Sequence, residues 1–265
     1  MSTPQTSQPH PAIRVDHEGP VVRVTLCNPG QLNAQVPSMW LALAEIAHFL
    51  AEEVRVVVLA AEGRSFSAGL NRGMLVPGGM PGEPDLLAAA ARSPEAMTAL
   101  IGPFQEGFAV WRRVAPVVVA AVQGHAIGAG FQLALAADLR IVADDVQFAM
   151  REVSLGMIPD LAGTGPLVEA VGYSRALEIC ATGRFVGADE AVQTGLASLA
   201  VPTTELAGAT SDLVQALLAA PAPALRALKP LLHQALTSTA DEQIHHERVA
   251  QGHLLHGMAR AVGLS

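Results

Sequence analysis

The chain has 265 residues, 51% hydrophobic and 15% charged, and its 16 Lys plus Arg against 24 Asp plus Glu give a formal charge of −8. That balance fills one large domain with a packed core and argues against disorder. Net acidity and an aromatic content of only 4% exclude the basic footprint and base-stacking platforms of nucleic-acid binders, and an anionic membrane surface repels such a chain.

Residues 1–12 (MSTPQTSQPHPA) are polar and Pro-rich and read as a disordered lead-in without the apolar stretch of a signal peptide. Residues 13–26 read as two strands around Gly19-Pro20, with Val22, Val24 and Leu26 alternating, and Asn28-Pro29-Gly30 ends the second. From Pro37 to Glu53, Met39, Leu43, Ile46 and Leu50 recur at helical spacing. Arg55 to Ala60 is a short buried strand that leads into the small-residue turn GRSFSAGLN. Residues 72–84 carry too many Gly and Pro for helix or sheet and read as a mobile loop. Helical pattern fills 85–113, and Val117 to Val122 is a second buried strand, followed by the Gly-rich turn GHAIGAG and a helix around Gln132 to Ala137.

Leu139 to Ala143 and Val146 to Ala149 are further short strands, and REVSLGMIPDLAGTG is a punctuated loop. Helices follow at about 164–172, 174–182 and 188–194, then a strand from Leu196 to Val201, then three amphipathic helices over 204–259. No run reaches the ~20 apolar residues of a membrane helix. Strands alternating with helices point to an α/β core with largely parallel strands, residues 13–200, and a helical C-terminal region, 201–265, serving as an appendage or oligomer contact. Two cysteines, Cys27 and Cys180, make no disulfide framework, so a reducing, cytoplasmic setting is expected.

The strand, small-residue turn and helix start occur twice, at 55–70 and 117–132. Such turns expose backbone N–H groups, and a helix start adds partial positive charge. Two of them side by side form an oxyanion hole, or else Gly and Ala serve only close strand–helix packing. Glu152 follows the apolar strand end VQFAM. It is either a general acid/base with a raised pKa or one half of a surface ion pair with an arginine. Asp160 is a second acid or a helix cap. GRSFS misses the G-x-S-x-G elbow at Ser67, and GHAIGAG fits neither dinucleotide nor P-loop spacing. His245, His246, His253 and His256 lack an H-E-x-x-H register, so no metal site is expected. Lys229, the only lysine, is the only residue that could form a Schiff base.

Four ordered motifs, NPGQLNA (28–34), VRVVVLAAEGRSFSAGLN (54–71), PVVVAAVQGHAIGAGFQLALAADLRIVADDVQFAMREVSLGMIPDLAGTG (116–165) and TGRFVGADEAVQTGLASLAV (182–201), resemble the crotonase, or enoyl-CoA hydratase/isomerase, superfamily from about residue 13 to 260. The resemblance implies a spiral of ββα repeats with a helical C-terminal part, assembly into homotrimers or hexamers (dimers of trimers), and acyl-CoA thioester substrates, with coenzyme A as part of the substrate and no other cofactor. It places the oxyanion-hole N–H groups at Leu70 and Ala129, where the family usually has Gly at the second position. Family hydratases carry two glutamates. Here their positions hold Gln132 and Glu152, which weakens hydration and favours double-bond isomerisation by Glu152. Asp160 matches a further acid of the dienoyl-CoA isomerases.

The resulting site is Glu152, Asp160 and Gln132 for catalysis, with Ala68, Gly128, Met74, Arg72 and Lys229 binding substrate. Leu75 and Met80 join Met74 as acyl-pocket candidates, and Arg23 and Arg64 join Arg72 and Lys229 as candidates for the CoA phosphates. Hydration by Glu152 alone and a non-catalytic acyl-CoA-binding role are the alternatives.

Overall fold

The protein is described here by a computed structural model covering residues 5–263. A seven-stranded sheet runs through it in the order β1 (Gln5–His10), β2 (Ile13–Glu18), β3 (Val21–Leu26), β4 (Val56–Ala61), β5 (Val117–Val122), β7 (Leu139–Ala143), β9 (Leu199–Val201). The first three strands pair antiparallel, and β3, β4, β5, β7 and β9 pair parallel. A second sheet pairs β6 (His125–Ile127) with β8 (Gln147–Ala149) in parallel. Ser67 bridges to Ala126, so the segment after β4 joins this layer too.

The layout is the expected spiral. A strand of the large sheet, a strand or bridge of the small one and then a helix follow in turn. The clearest unit is β5, β6 and α4 (Ala129–Ala136); β7, β8 and α5 (Thr164–Val171) form the next. Parallel strands need crossovers, and the helices supply them.

Alternation along the strands explains the packing. Val57, Leu59, Val118, Ala120 and Val122 face the main core, which also holds Trp40, Met39 and Leu43 of α1 (Pro37–His48) and Phe104, Phe108 and Trp111 of α3 (Pro94–Arg113). Val56, Val58, Val117 and Val119 face the other way, against Leu213, Val214 and Leu217 of α8 (Leu206–Ala219). Successive strand residues point to opposite faces, so a sheet buried on both sides needs a second cover. Thus α8 is part of the core packing rather than of an appendage. Beyond it, α9 (Ala222–Ala235) and α10 (Ala240–Ala261) contact each other and leave Leu228, Leu232, Leu236, Ile244, Leu255 and Met258 exposed.

Several elements depart from expectation. Of the lead-in, residues 1–4 lie outside the described residues, and Gln5–His10 is not irregular but an edge strand on β2. Its residues are exposed or half-buried, so the apolar alternation that marks a strand is missing, and backbone pairing to Ile13–His17 supplies the order. The 85–113 stretch is two helices, α2 (Leu86–Arg92) and α3, because Ser93 is extended before Pro94 and caps Ala96 N. The 72–84 loop begins in a single 3-10 turn, Arg72–Leu75, and is anchored at its end by Glu83, which accepts from Ser38 N at 2.9 Å and from the Ser38 hydroxyl. The remaining helices are α6 (Tyr173–Thr182) and α7 (Ala188–Gln193). Among the described residues no helix is long and apolar enough to cross a membrane.

Candidate active site

Following each backbone amide to its acceptor locates the site. In the first turn Phe66 donates to Gln123 O (2.8 Å), Ser67 to His125 O (2.9 Å) and Ala68 to Leu32 O (2.9 Å). Gly69 donates to Ser67 Oγ (3.1 Å) and Asn71 to Gln35 O (2.8 Å). Between them Leu70 N–H has no acceptor among the described residues. Gly69 C=O accepts from Gln35 N at 2.7 Å. In a trans peptide C=O and N–H point in opposite directions, so this bond aims Leu70 N–H away from residue 35.

The second turn behaves the same way. Gly128 N donates to Ala149 O (2.9 Å), and Gln132 N closes the first helical bond of α4 to Gly128 O (2.9 Å). Ala129 N–H, at the first position of α4, has no acceptor among the described residues, as helix starts require. Ala129 is not among the residues with positive φ, so alanine fits where the family usually has glycine. The helix begins at Ala129 rather than near Gln132, so the glycine-rich turn is itself the helix N-terminus.

The two turns abut. A Cβ on Gly69, whose φ is +84°, would fall 2.4 Å from Ile127 O and 3.5 Å from Ala129 N. Only glycine permits that approach. Likewise a Cβ on Gly128 (φ +51°) would lie 3.2 Å from Glu152 Oε1. The strand ends of β5–β6 and β8 therefore bring the Ala129 turn and Glu152 together, although they are far apart in sequence.

Glu152 opens a 3-10 turn, Glu152–Leu155, and is buried. Its Oε1 accepts from Gln132 Nε2 at 2.8 Å, while Oε2 is buried without a partner. Burial pushes its pKa above the ordinary carboxylate value. The Gln132 hydrogen bond pulls it down, and the Asp160 charge pushes it up. Asp160 is half-buried, and its own pKa is also raised by burial. Its C=O accepts from Gln105 Nε2 at 2.7 Å.

Gln132 is fixed at both ends. Its Oε1 accepts from Leu161 N (2.8 Å) and Gly163 N (3.3 Å), which leaves the amide nitrogen for Glu152. Ala162, between these two donors, sits at φ +61°. A left-handed alanine costs about 1–2 kcal/mol, and here it curls two neighbouring amides onto one oxygen. Gln132 is expected to hold substrate or water; one of its two amide N–H groups is committed to Glu152.

The substrate-binding candidates divide. Ala68, half-buried, and Gly128 belong to the two turns. Arg72 and Arg64 are exposed. Met74 is fully buried in the main core, with no surface toward solvent, while Met80 packs at the core's margin. Lys229 does not sit at the site: its Nζ lies 2.8 Å from Asp138 Oδ2 and donates to Trp111 O (2.9 Å) and Pro116 O (3.0 Å). Burial lowers its pKa and Asp138 raises it. With all three donors engaged it is a structural clamp of α9 onto α3 and β5, and it cannot meet a CoA phosphate. Residue type suggested the phosphate contact; only packing shows that the ammonium is enclosed. Sequence reasoning weighed Ser67 only as a near miss to a nucleophile elbow and passed over Gln35, whose lone amide carries no spacing signal; both are fully buried beside Leu70. Among the described residues no group of three or more His, Cys, Asp or Glu is placed to hold a metal.

The family described as enoyl-CoA hydratase/isomerase matches residues 16–264. The protein named as the enoyl-CoA hydratase echA8 of Mycobacterium tuberculosis (strain CDC 1551 / Oshkosh) is 30% identical over 244 residues, 89% of this chain and 86% of that protein. A crystal structure named as an enoyl-CoA hydratase from Thermobifida fusca YX, in complex with acetoacetyl-CoA, is 46% identical with a TM-score of 0.88, covering 93% of this chain and 95% of that one. The same name attached to a further Thermobifida fusca YX structure gives 44% identity, a TM-score of 0.91, and coverage of 97% and 100%. These relatives carry hydratase names, not isomerase names.

Proposed function

The chain belongs to the enoyl-CoA hydratase/isomerase family and is an acyl-CoA enzyme of it; on that premise we propose that it moves the double bond of an enoyl-CoA thioester, with Glu152 as the single proton carrier. The observation that carries this reading is the fixed Gln132 amide, which occupies Oε1 of Glu152 and leaves Oε2 alone and buried. The thioester oxygen accepts from the N–H groups of Leu70 and Ala129. Each such donor is worth about 3 kcal/mol where charge develops in acyl chemistry. Oε2 of Glu152 takes a proton from one carbon of the acyl chain, and the C–H electron pair delocalises onto the thioester oxygen as an enolate. The resulting carboxylic acid returns the proton to a different carbon, so nothing is gained or lost overall.

Desolvation suits both halves of this cycle, because a carboxyl whose pKa lies above the ordinary range takes and gives back a proton more readily near neutrality. Hydration in the two-glutamate manner uses one group to activate water and another to protonate carbon, and an amide can do neither near pH 7. Asp160 tunes Glu152 through its charge. Coenzyme A enters only as part of the substrate. The exposed apolar residues of α9 and α10 support assembly into a homotrimer or a dimer of trimers, to be read by light scattering.

Hydration by Glu152 alone is the second reading, favoured by the names of the relatives. The two separate when trans-2-enoyl-CoA and trans-3-enoyl-CoA are supplied in turn. Isomerisation predicts that the 3-enoyl substrate becomes the conjugated 2-enoyl product while little 3-hydroxyacyl-CoA forms. Rapid 3-hydroxyacyl-CoA formation from the 2-enoyl substrate overturns it. If acyl-CoA binds but nothing turns over, and Glu152→Gln alters affinity only, the protein is a binder.

A further inference from the structure

Ser67 takes no part in the proton transfer, yet its side chain is saturated. Oγ donates to Asn33 O (2.7 Å) and accepts from Gln35 Nε2 (3.0 Å) and from Gly69 N (3.1 Å). One hydrogen and two lone pairs are all a serine hydroxyl has. Gln35 is held in turn by Trp40, whose Nε1 donates to its Oε1 at 2.8 Å, and its own backbone N binds Gly69 O at 2.7 Å. Asn33, Gln35 and Ser67 are all fully buried.

The same serine touches the other turn. Its C=O accepts from Ile127 N at 3.0 Å, and a Cβ on Gly130 would fall 2.5 Å from that oxygen, so the first turn of α4 lies directly against it. Ser67 thus grips the Ala68–Gly69 peptide through its hydroxyl, one link before the Gly69–Leu70 peptide that Gln35 N holds, and seats α4 through its carbonyl.

We propose that Ser67, backed by Gln35 and Trp40, is a positioning residue that sets where the Leu70 N–H points relative to the Ala129 N–H. The proposal rests on the reading of those two amides as the oxyanion hole. Without the hydroxyl, Gly69 N–H is left buried and unsatisfied, and a peptide in that state turns to find another acceptor. That peptide is joined to the one carrying the Leu70 N–H through Gly69 alone, whose free dihedrals readjust and re-aim the Leu70 N–H. Preorganised donors lose their value when displaced from the developing charge, so the loss falls on ligands with a thioester carbonyl and spares those without one.

Acetoacetyl-CoA and free CoA share the nucleotide and pantetheine portions and differ in the acetoacetyl group that carries the thioester carbonyl. Calorimetric titration of wild type and Ser67→Ala with both probes is the test, together with the ultraviolet absorbance of the bound acetoacetyl enolate. The expected result is an acetoacetyl-CoA Kd about tenfold weaker, equivalent to about 1.4 kcal/mol, with a diminished enolate band, while the free CoA Kd stays within about twofold. Should Ser67→Ala not fold, Gln35→Met carries the test, since it keeps side-chain length and removes the donor to Ser67 Oγ. Equal weakening toward both probes, or an unchanged acetoacetyl-CoA Kd, overturns the positioning role. Failure of the underlying site reading looks different: wild type itself then binds the two probes equally and shows no enolate band.

Discussion

Replacing Gln132 by Glu is the sharpest perturbation this site allows. The change is nearly isosteric. One carboxylate oxygen keeps the acceptor role toward Leu161 N and Gly163 N, now 2.8 and 3.3 Å from Gln132 Oε1. The other replaces an N–H donor with an oxygen 2.8 Å from Glu152 Oε1. Two full negative charges at that spacing repel by about 6 kcal/mol at an effective dielectric of 20. The pair avoids this by holding one proton between the two oxygens, so it titrates as a unit. At neutral pH the variant then carries one base and one acid, which is what addition of water requires. A well-placed acid or base contributes about 10²–10⁴-fold, so Gln132→Glu should raise hydration of trans-2-enoyl-CoA at least about tenfold. The assay is loss of enoyl-thioester absorbance with chromatographic identification of the 3-hydroxyacyl product, and its pH profile should become bell-shaped. The reasoning fails if wild type already hydrates as fast as the variant, or if the folded variant gains no hydration.

Other outcomes follow from the same contacts. Glu152→Gln should lower turnover by about 10²–10⁴-fold while leaving acyl-CoA binding measurable. The native state binds the Glu152 proton more tightly than the unfolded chain does, because its pKa is raised. That contribution is fully present below the ordinary glutamate pKa and is lost as pH rises through the raised value. Glu152→Gln should therefore melt higher than wild type at neutral pH, with the gap closing below about pH 4. Asp160→Asn removes a like charge that raises the Glu152 pKa, so the acid limb of the pH–rate profile should move to lower pH; an unmoved limb means that Asp160 does not act on Glu152. Lys229→Met leaves Asp138 half-enclosed without its partner at 2.8 Å and should cost about 3–5 kcal/mol of stability in denaturant titrations. Because the Lys229 ammonium is wholly engaged by Asp138 and two backbone carbonyls, free CoA affinity of the folded fraction should not change.

Much of this protein is written in short-range pattern. The β-branched runs at Val56–Leu59 and Val117–Val122 mark buried strands by their period, whereas the single helical pattern over 85–113 hides the break at Ser93 and Pro94. The two glycine-flanked turns and Glu152 stand out for the same local reasons. What the pattern does not carry is distance across the chain. The strand Gln5–His10 has no apolar signature and exists because β2 offers it hydrogen bonds. Lys229 looks like a free cation until Asp138 and two carbonyls close around it. By the family resemblance alone, Gln132 stands where a hydratase has an acid. Only the curled 161–163 backbone, 29 and 31 residues away, decides that its oxygen faces that loop and its nitrogen faces Glu152. Local chemistry fixes which groups exist, whereas the hydrogen bonds left to each of them depend on partners that only folding delivers.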